Sequence, residues 1–238
     1  MVGDPKDLEL IARMAEDPKL REATAVFMTE CERYRYEYNW TWLGRPIIQH
    51  PEDMVALQEI IWKTRPELIV ETGIAHGGSL IFHASILELI GGPGEVLGID
   101  IEIRPHNRVE IERHPMFRRI RMLEGSSIDP AVVEQVRRYA EGRRTMVILD
   151  SNHSHAHVLE ELRAYSPLVS PGCYFVVLDT IIEFITEDTY SDRPWSKGNN
   201  TLTALREWLP QNADFEEDLE YRKLLITVGP EGYLRRKA

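Results

Sequence analysis

Apolar and polar positions follow a helical period in the first part of this chain and change to short, near-continuous apolar runs after about residue 66. Residues 6–40 read as helical: "DLELIARMA" and "LREATAVFMTECERYRYEY" repeat apolar positions at helix-like intervals among many charges. "TWLGRPIIQHP", with Gly44, Pro46 and Pro51, interrupts that pattern, and "EDMVALQEIIWKTR" resumes a helix that ends before Pro66. From there the runs "ELIVETG", "EVLGIDI", "IRMLEG", "TMVILD" and "CYFVVLDT" read as strands, separated by helical "SLIFHASILELI", "PAVVEQVRRYA" and "VLEELRAYSPLV". Strands apolar on both faces belong to a parallel sheet covered by helices on both sides, so the pattern predicts a doubly wound α/β core.

This divides the chain into an N-terminal helical extension at 1–65 and one globular α/β unit at 66–238. The tail predicts a helix at "TALREWL" and an antiparallel pair at one sheet edge from "DFEEDLE" and "KLLITVG". The only long connection without a pattern is "TEDTYSDRPWSKGNN", residues 186–200, and connections of that length are often lids or binding loops.

Composition narrows the class. No apolar run in the 238 residues approaches the roughly eighteen that a spanning helix needs, so a soluble protein away from membranes is expected. "MVGDPKDLEL" lacks a basic segment followed by an apolar stretch, and two cysteines, Cys31 and Cys173, make no disulfide framework; both features point to the cytoplasm. The net charge of -11 repels polyphosphates and the basic clusters are short, which disfavours nucleic acid and favours small-molecule partners.

Ligands of open α/β sheets bind beyond the carboxyl ends of the strands, so polar residues there are the candidate site. Glu71 ends the first strand, Gly73 permits a tight turn, and Gly77 and Gly78 allow a cofactor near the backbone. The nicotinamide fingerprint is not met, because Ala75 stands where its second glycine belongs. Asp100 ends the next strand, where an acid can take two ribose hydroxyls. Ser126 and Ser127 follow the third strand; they border an adenine, or Ser127 caps the helix beginning near Asp129.

"ILDSNHSHAH" carries the richest chemistry. Asp150 ends its strand, His153 lies three residues on, and Asp179 ends the neighbouring strand. Two converging carboxylates suit magnesium, which takes only one or two protein carboxylates. A zinc site from His153, His155 and His157 is the weaker alternative, since no Cys or Glu completes a known zinc spacing; His155 and His157 read as polar residues on an exposed helix turn.

Together "ETGIAHGGS", "GID", "GSSID", "LDSNH" and "VVLDT", in this order, resemble the class I S-adenosylmethionine-dependent methyltransferases, and most closely the cephalosporin hydroxylase-like family, over roughly residues 40–235. The resemblance implies a Rossmann-like, seven-stranded, mostly parallel sheet with an antiparallel edge strand. It implies that Glu71, Gly73 and Ser79 line the methionine part of S-adenosylmethionine, that Asp100 holds the ribose and that Ser126 and Ser127 border the adenine, with Asp150 beside the cofactor. It also implies a Mg2+ site at Asp150, Asp179 and Thr180, with His153 as general base. The cephalosporin hydroxylase-like and macrolide-sugar methyltransferases carry Glu-Asp at the second metal position and catechol-type enzymes carry Asp-Asn, where this chain has Leu178-Asp179-Thr180, so one carboxylate ligand of the first pattern is absent and a threonine replaces the amide of the second.

The expected reaction is methyl transfer to a hydroxyl of a small molecule or sugar, with Mg2+ lowering the hydroxyl pKa and His153 accepting the proton, histidine being the residue type that titrates nearest neutrality. The loop with Arg193, Trp195 and Lys197 is a candidate lid or a subunit contact, and Trp40, Trp42 and Tyr190 are candidates for acceptor contact or core packing. A homo-oligomer is expected. The rival readings are a hydroxylase of a secondary metabolite, which wants two histidines and a carboxylate on iron, and a non-catalytic nucleoside-binding protein.

Overall fold

Asp17 ends one helix and begins the next: its carboxylate accepts from the amides of Lys19 and Leu20, and Pro18 occupies the first turn that follows. The helical start is therefore two helices, α1 at Pro5–Glu16 and α2 at Pro18–Glu32. The computed structural model describes residues 5–185 and 193–238, and among these no helix is long and apolar enough to cross a membrane.

"TWLGRPIIQHP" is more than an interruption. Leu43 and Gly44 both take positive φ, 46° and 86°, the conformation of a two-residue hairpin turn. They join β1, Trp40–Trp42, to β2, Arg45–Ile47, in an antiparallel pair. Strands of three residues are too short to show alternation, so the pattern could not reveal them. Helix α3, Pro51–Thr64, follows.

The α/β part then runs β3 Leu68–Thr72, α4 Gly78–Ile90, β4 Glu95–Asp100, α5 Pro105–Arg113, β5 Ile120–Glu124, α6 Pro130–Ala140, β6 Thr145–Leu149, α7 His155–Tyr165, β7 Tyr174–Val177, α8 Thr201–Trp208, β8 Phe215–Glu217 and β9 Tyr233–Arg236. The sheet order is β5-β4-β3-β6-β7-β9-β8. The first five strands of that order are parallel, and β9 runs antiparallel to both β7 and β8. An antiparallel pair does close one edge, but its second member is "YLRR"; "KLLITVG" forms no strand. The reversed strand is β9, one place in from the edge.

Alternate strand residues feed two cores. Ile69, Met146, Ile148 and Val176 pack with α4 on one face, while Leu68, Val70, Val147, Leu149 and Phe175 pack with α6, α7 and α8 on the other. Each fully buried aliphatic side chain stabilises by about 1.5–3 kcal/mol. Ile47 of β2 and Ala56, Leu57, Ile60 and Ile61 of α3 belong to the first core, so the segment ahead of β3 is packed onto the sheet.

Candidate active site

β3, β4 and β5 step outward one way and β6 and β7 the other, so chain order reverses between β3 and β6. The crevice beyond their carboxyl ends is the binding position of open α/β sheets. Gly73 has φ +95°, and a Cβ there would sit 2.0 Å from the Asp150 carbonyl oxygen, so only glycine lets these two strand ends meet.

Gly77 and Gly78 meet a packing need that their sequence does not show. A Cβ at Gly77 would lie 2.3 Å from the Ile111 side chain, and one at Gly78 would lie 2.1 Å from the Pro46 carbonyl oxygen. The space a side chain would need is taken by α5 and by the β2 strand.

The turn between β3 and α4 is braced from three elements. Asp100 Oδ2 accepts from the Ile74 and Ala75 amides at 2.8 and 3.2 Å, and its Oδ1 accepts from the Glu102 amide at 3.2 Å. Three of the roughly four acceptor positions of a carboxylate are thus filled. Asp100 is the brace of the turn, with room for one further hydroxyl where two were expected. Asn107 of α5 donates to the Ala75 carbonyl at 2.8 Å, and Arg45 of β2 donates to the His76 carbonyl and to Asn107. Neither Arg45 nor Asn107 carried a local signal in the sequence.

Glu71 is 1 % exposed and its Oε2 lies 3.6 Å from Nε2 of the equally buried His83. Ser79 stands partly buried in the first turn of α4.

The helix after β5 is capped by Asp129, whose side chain accepts from the Ala131 amide, so Ser127 is free of that duty. Its hydroxyl instead meets His157 Nε2 at 3.0 Å. Ser151 donates to Glu161 at 2.7 Å and lies 3.3 Å from the same imidazole nitrogen. His157 is therefore part of a largely enclosed polar knot rather than an exposed turn. His155 meets Thr203 at 2.8 Å and Glu207 at 3.2 Å, stapling α7 to α8. The three histidines face three different neighbourhoods and share no ligand site.

His153 goes to the rim. Asp150, His153 and Asp179 each offer one ligand atom, all within 4.8 Å of one another, and His153 Nε2 lies 3.7 Å from Asp179 Oδ2. Burial and then the Asp179 charge hold the Asp150 carboxyl well above the usual carboxylate range. Carboxylates brought this close, with an imidazole beside them, fit a divalent cation by donor type. Asp179 sits in the left-handed region, φ 56°, an uncommon conformation for a residue with a side chain.

Thr180 does not join them. It is fully buried and its hydroxyl donates to the Pro230 carbonyl, so the third member of the cluster is His153 rather than Thr180. Leu178, where the resemblance implies an acid, is 1 % exposed in the core, so apolar packing fills that position.

The surroundings of the rim come from distant segments. Trp195 stands edge-on to His153, centroids 4.6 Å apart, with the Arg193 guanidinium 5.6 Å from its ring; Tyr190 lies outside the described residues. Trp42 packs against Phe82 and donates to Ser85, a core duty. Gln49 Nε2 donates to Asp150 Oδ2 at 3.3 Å. Burial, then Glu37 and Asp179, push Glu32 up to about 7, and burial holds His50 below its ordinary value.

Comparison with known proteins places the chain in a family. The model of the rhamnosyl O-methyltransferase/CmcI family matches residues 34–237. A rhamnosyl O-methyltransferase of Mycobacterium leprae (strain TN) is 36% identical over 201 residues, covering 83% of this chain and 83% of that protein. One of Mycobacterium tuberculosis (strain H37Rv) is 34% identical over 183 residues, covering 74% and 72%. An apo structure of CmcI superposes with a TM-score of 0.61 at 22% identity, covering 84% of this chain and 77% of that chain, which establishes a common fold. With a family model spanning most of its length and relatives at this identity, the chain belongs to the rhamnosyl O-methyltransferase/CmcI family.

Proposed function

We propose that the protein transfers a methyl group from S-adenosylmethionine to a hydroxyl of a sugar, with Mg2+ at Asp150 and Asp179. The observation that carries this reading is the convergence of Asp150, His153 and Asp179 at the sheet rim beside the Gly73 turn. Relatives named as rhamnosyl O-methyltransferases support the acceptor class, and a CmcI structure of the same fold with Mg and SAM supports both cofactors.

The sulfonium supplies an electrophilic methyl, and a cation at the rim supplies Lewis acidity toward an oxygen. The chain's own residues supply the rest. His153, when neutral, accepts the hydroxyl proton at a ring nitrogen, and Asp179 3.7 Å away stabilises the resulting imidazolium. Trp195 covers the imidazole and limits water there. Glu71, Gly73 and Ser79 border the methionine part, Asp100 takes one ribose hydroxyl, and Ser126 and Ser127 border the adenine.

The test is methyl transfer from labelled S-adenosylmethionine to rhamnosides. His153→Ala should lower kcat by about 10²–10⁴-fold with cofactor affinity kept, and an unchanged kcat removes His153 from the role of base. Hydroxylation is disfavoured because the cluster offers one imidazole and two carboxylates, the reverse of the iron oxygenase set.

A further inference from the structure

The segment ahead of the large sheet ends against Asp150. Gln49 is 3 % exposed; its Nε2 donates to Asp150 Oδ2, and its Oε1 is buried with no hydrogen-bond partner. The next residue repeats the situation: His50 is 3 % exposed, its Nδ1 has no partner, and its ring lies 5.5 Å from Tyr36. A buried amide oxygen without a donor is costly, and such groups persist where something outside the protein supplies the donor. With a divalent cation between them Asp150 and Asp179 are both ionised, and in that state they only accept.

The amide is locked in one sense. Turned over, it would set Oε1 against the Asp150 carboxylate, so the oxygen must face away from Asp150 while staying within one carboxamide width of it. The group that fits carries a second hydroxyl close to the one that reacts beside Asp150.

We infer that Gln49 reads the acceptor: its Nε2 is anchored on Asp150 while its Oε1 accepts a hydrogen bond from the hydroxyl adjacent to the one methylated. This rests on the proposed sugar O-methyl transfer. A deoxy carbon at that place offers no donor and leaves the buried oxygen unpaired in the complex, which is what rejects it.

The experiment compares a rhamnoside with its monodeoxy counterparts in the wild type, Gln49→Met and Gln49→Ala, and measures S-adenosylmethionine and Mn2+ affinities by calorimetry. Wild type should favour the diol by about 10- to 100-fold in kcat/KM, chiefly through KM. In Gln49→Met that preference should fall to within about threefold while both affinities stay within about threefold, since Asp150 is still held by its backbone amide on Thr72. A wild type that turns over every monodeoxy sugar as well as the diol overturns the inference without any variant. So does a variant that keeps the diol preference but loses Mn2+ affinity, because Gln49 then only positions Asp150. If rhamnosides are not methylated but another polyol or a catechol is, the sugar reading falls, and the same diol-against-monool comparison in that class decides about Gln49.

Discussion

Asp53, in the first turn of α3, is completely buried, and its carboxylate accepts from the Tyr233 hydroxyl at 2.7 Å, the Val228 amide at 2.9 Å and the Thr227 hydroxyl. It ties the helix that follows Gln49 and His50 to β9 and the turn before it. Burial outweighs these three donors and lifts its pKa from 3.8 to about 6. A carboxyl whose pKa is higher folded than unfolded binds its proton more tightly in the folded state. Its contribution to stability is therefore full below pH 3.8 and is lost as pH rises through about 6. At about 1.36 kcal/mol per pH unit, the span from 3.8 to about 6 corresponds to about 3 kcal/mol.

Asp53→Asn removes the titration. Its amide oxygen can take the Val228 amide, and its Nδ2 faces two hydroxyls free to rotate and accept. Urea unfolding followed by circular dichroism, at steps from about pH 4 to 7, gives both stabilities. Wild type minus Asn should decline by about 2 kcal/mol across that range, most of the full contribution. A difference independent of pH refutes the reasoning, and one that grows with pH shows that the three donors outweigh burial.

Gly73→Ala should destabilise by about 2–4 kcal/mol, combining backbone strain and overpacking against the Asp150 carbonyl, and should weaken Mn2+ binding in the same preparation; thermal unfolding and calorimetry read the two effects. Arg45→Met should raise the S-adenosylmethionine Kd by about fivefold or more by loosening the His76 carbonyl, with Mn2+ affinity unchanged in the same titrations. His155→Ala should cost about 1 kcal/mol in urea unfolding through the lost α7–α8 staple while kcat stays at the wild-type level, in contrast to His153→Ala.

The five parallel strands were legible because each is buried on both faces and reads as an apolar run, and the strand-end acids follow from where those runs stop. Elements without that contrast were not. Helix α5, "PHNRVEIER", buries only Asn107 and Ile111, too few positions to mark a period. "KLLITVG" looked like a strand because of its apolar residues, yet "YLRR" forms the ladder; periodicity in so short a run cannot say which segment meets β7. Asp150, His153 and Asp179 were legible from spacing and strand position. The Gly-turn braces Arg45 and Asn107 and the rim partner Gln49 were not, since they lie 31, 32 and 101 residues from the groups they hold.

The alternate spacing of His153, His155 and His157 means that one short stretch of chain answers to three masters: the rim, helix α8 and the loop after β5. None of the three can let go independently, because only one residue separates neighbouring histidines. Displacement of this stretch at any one of them strains the other two, so the rim and the loop after β5 should loosen as one event, and a two-residue deletion before His153 would bring His155 to the rim only by unfastening α8.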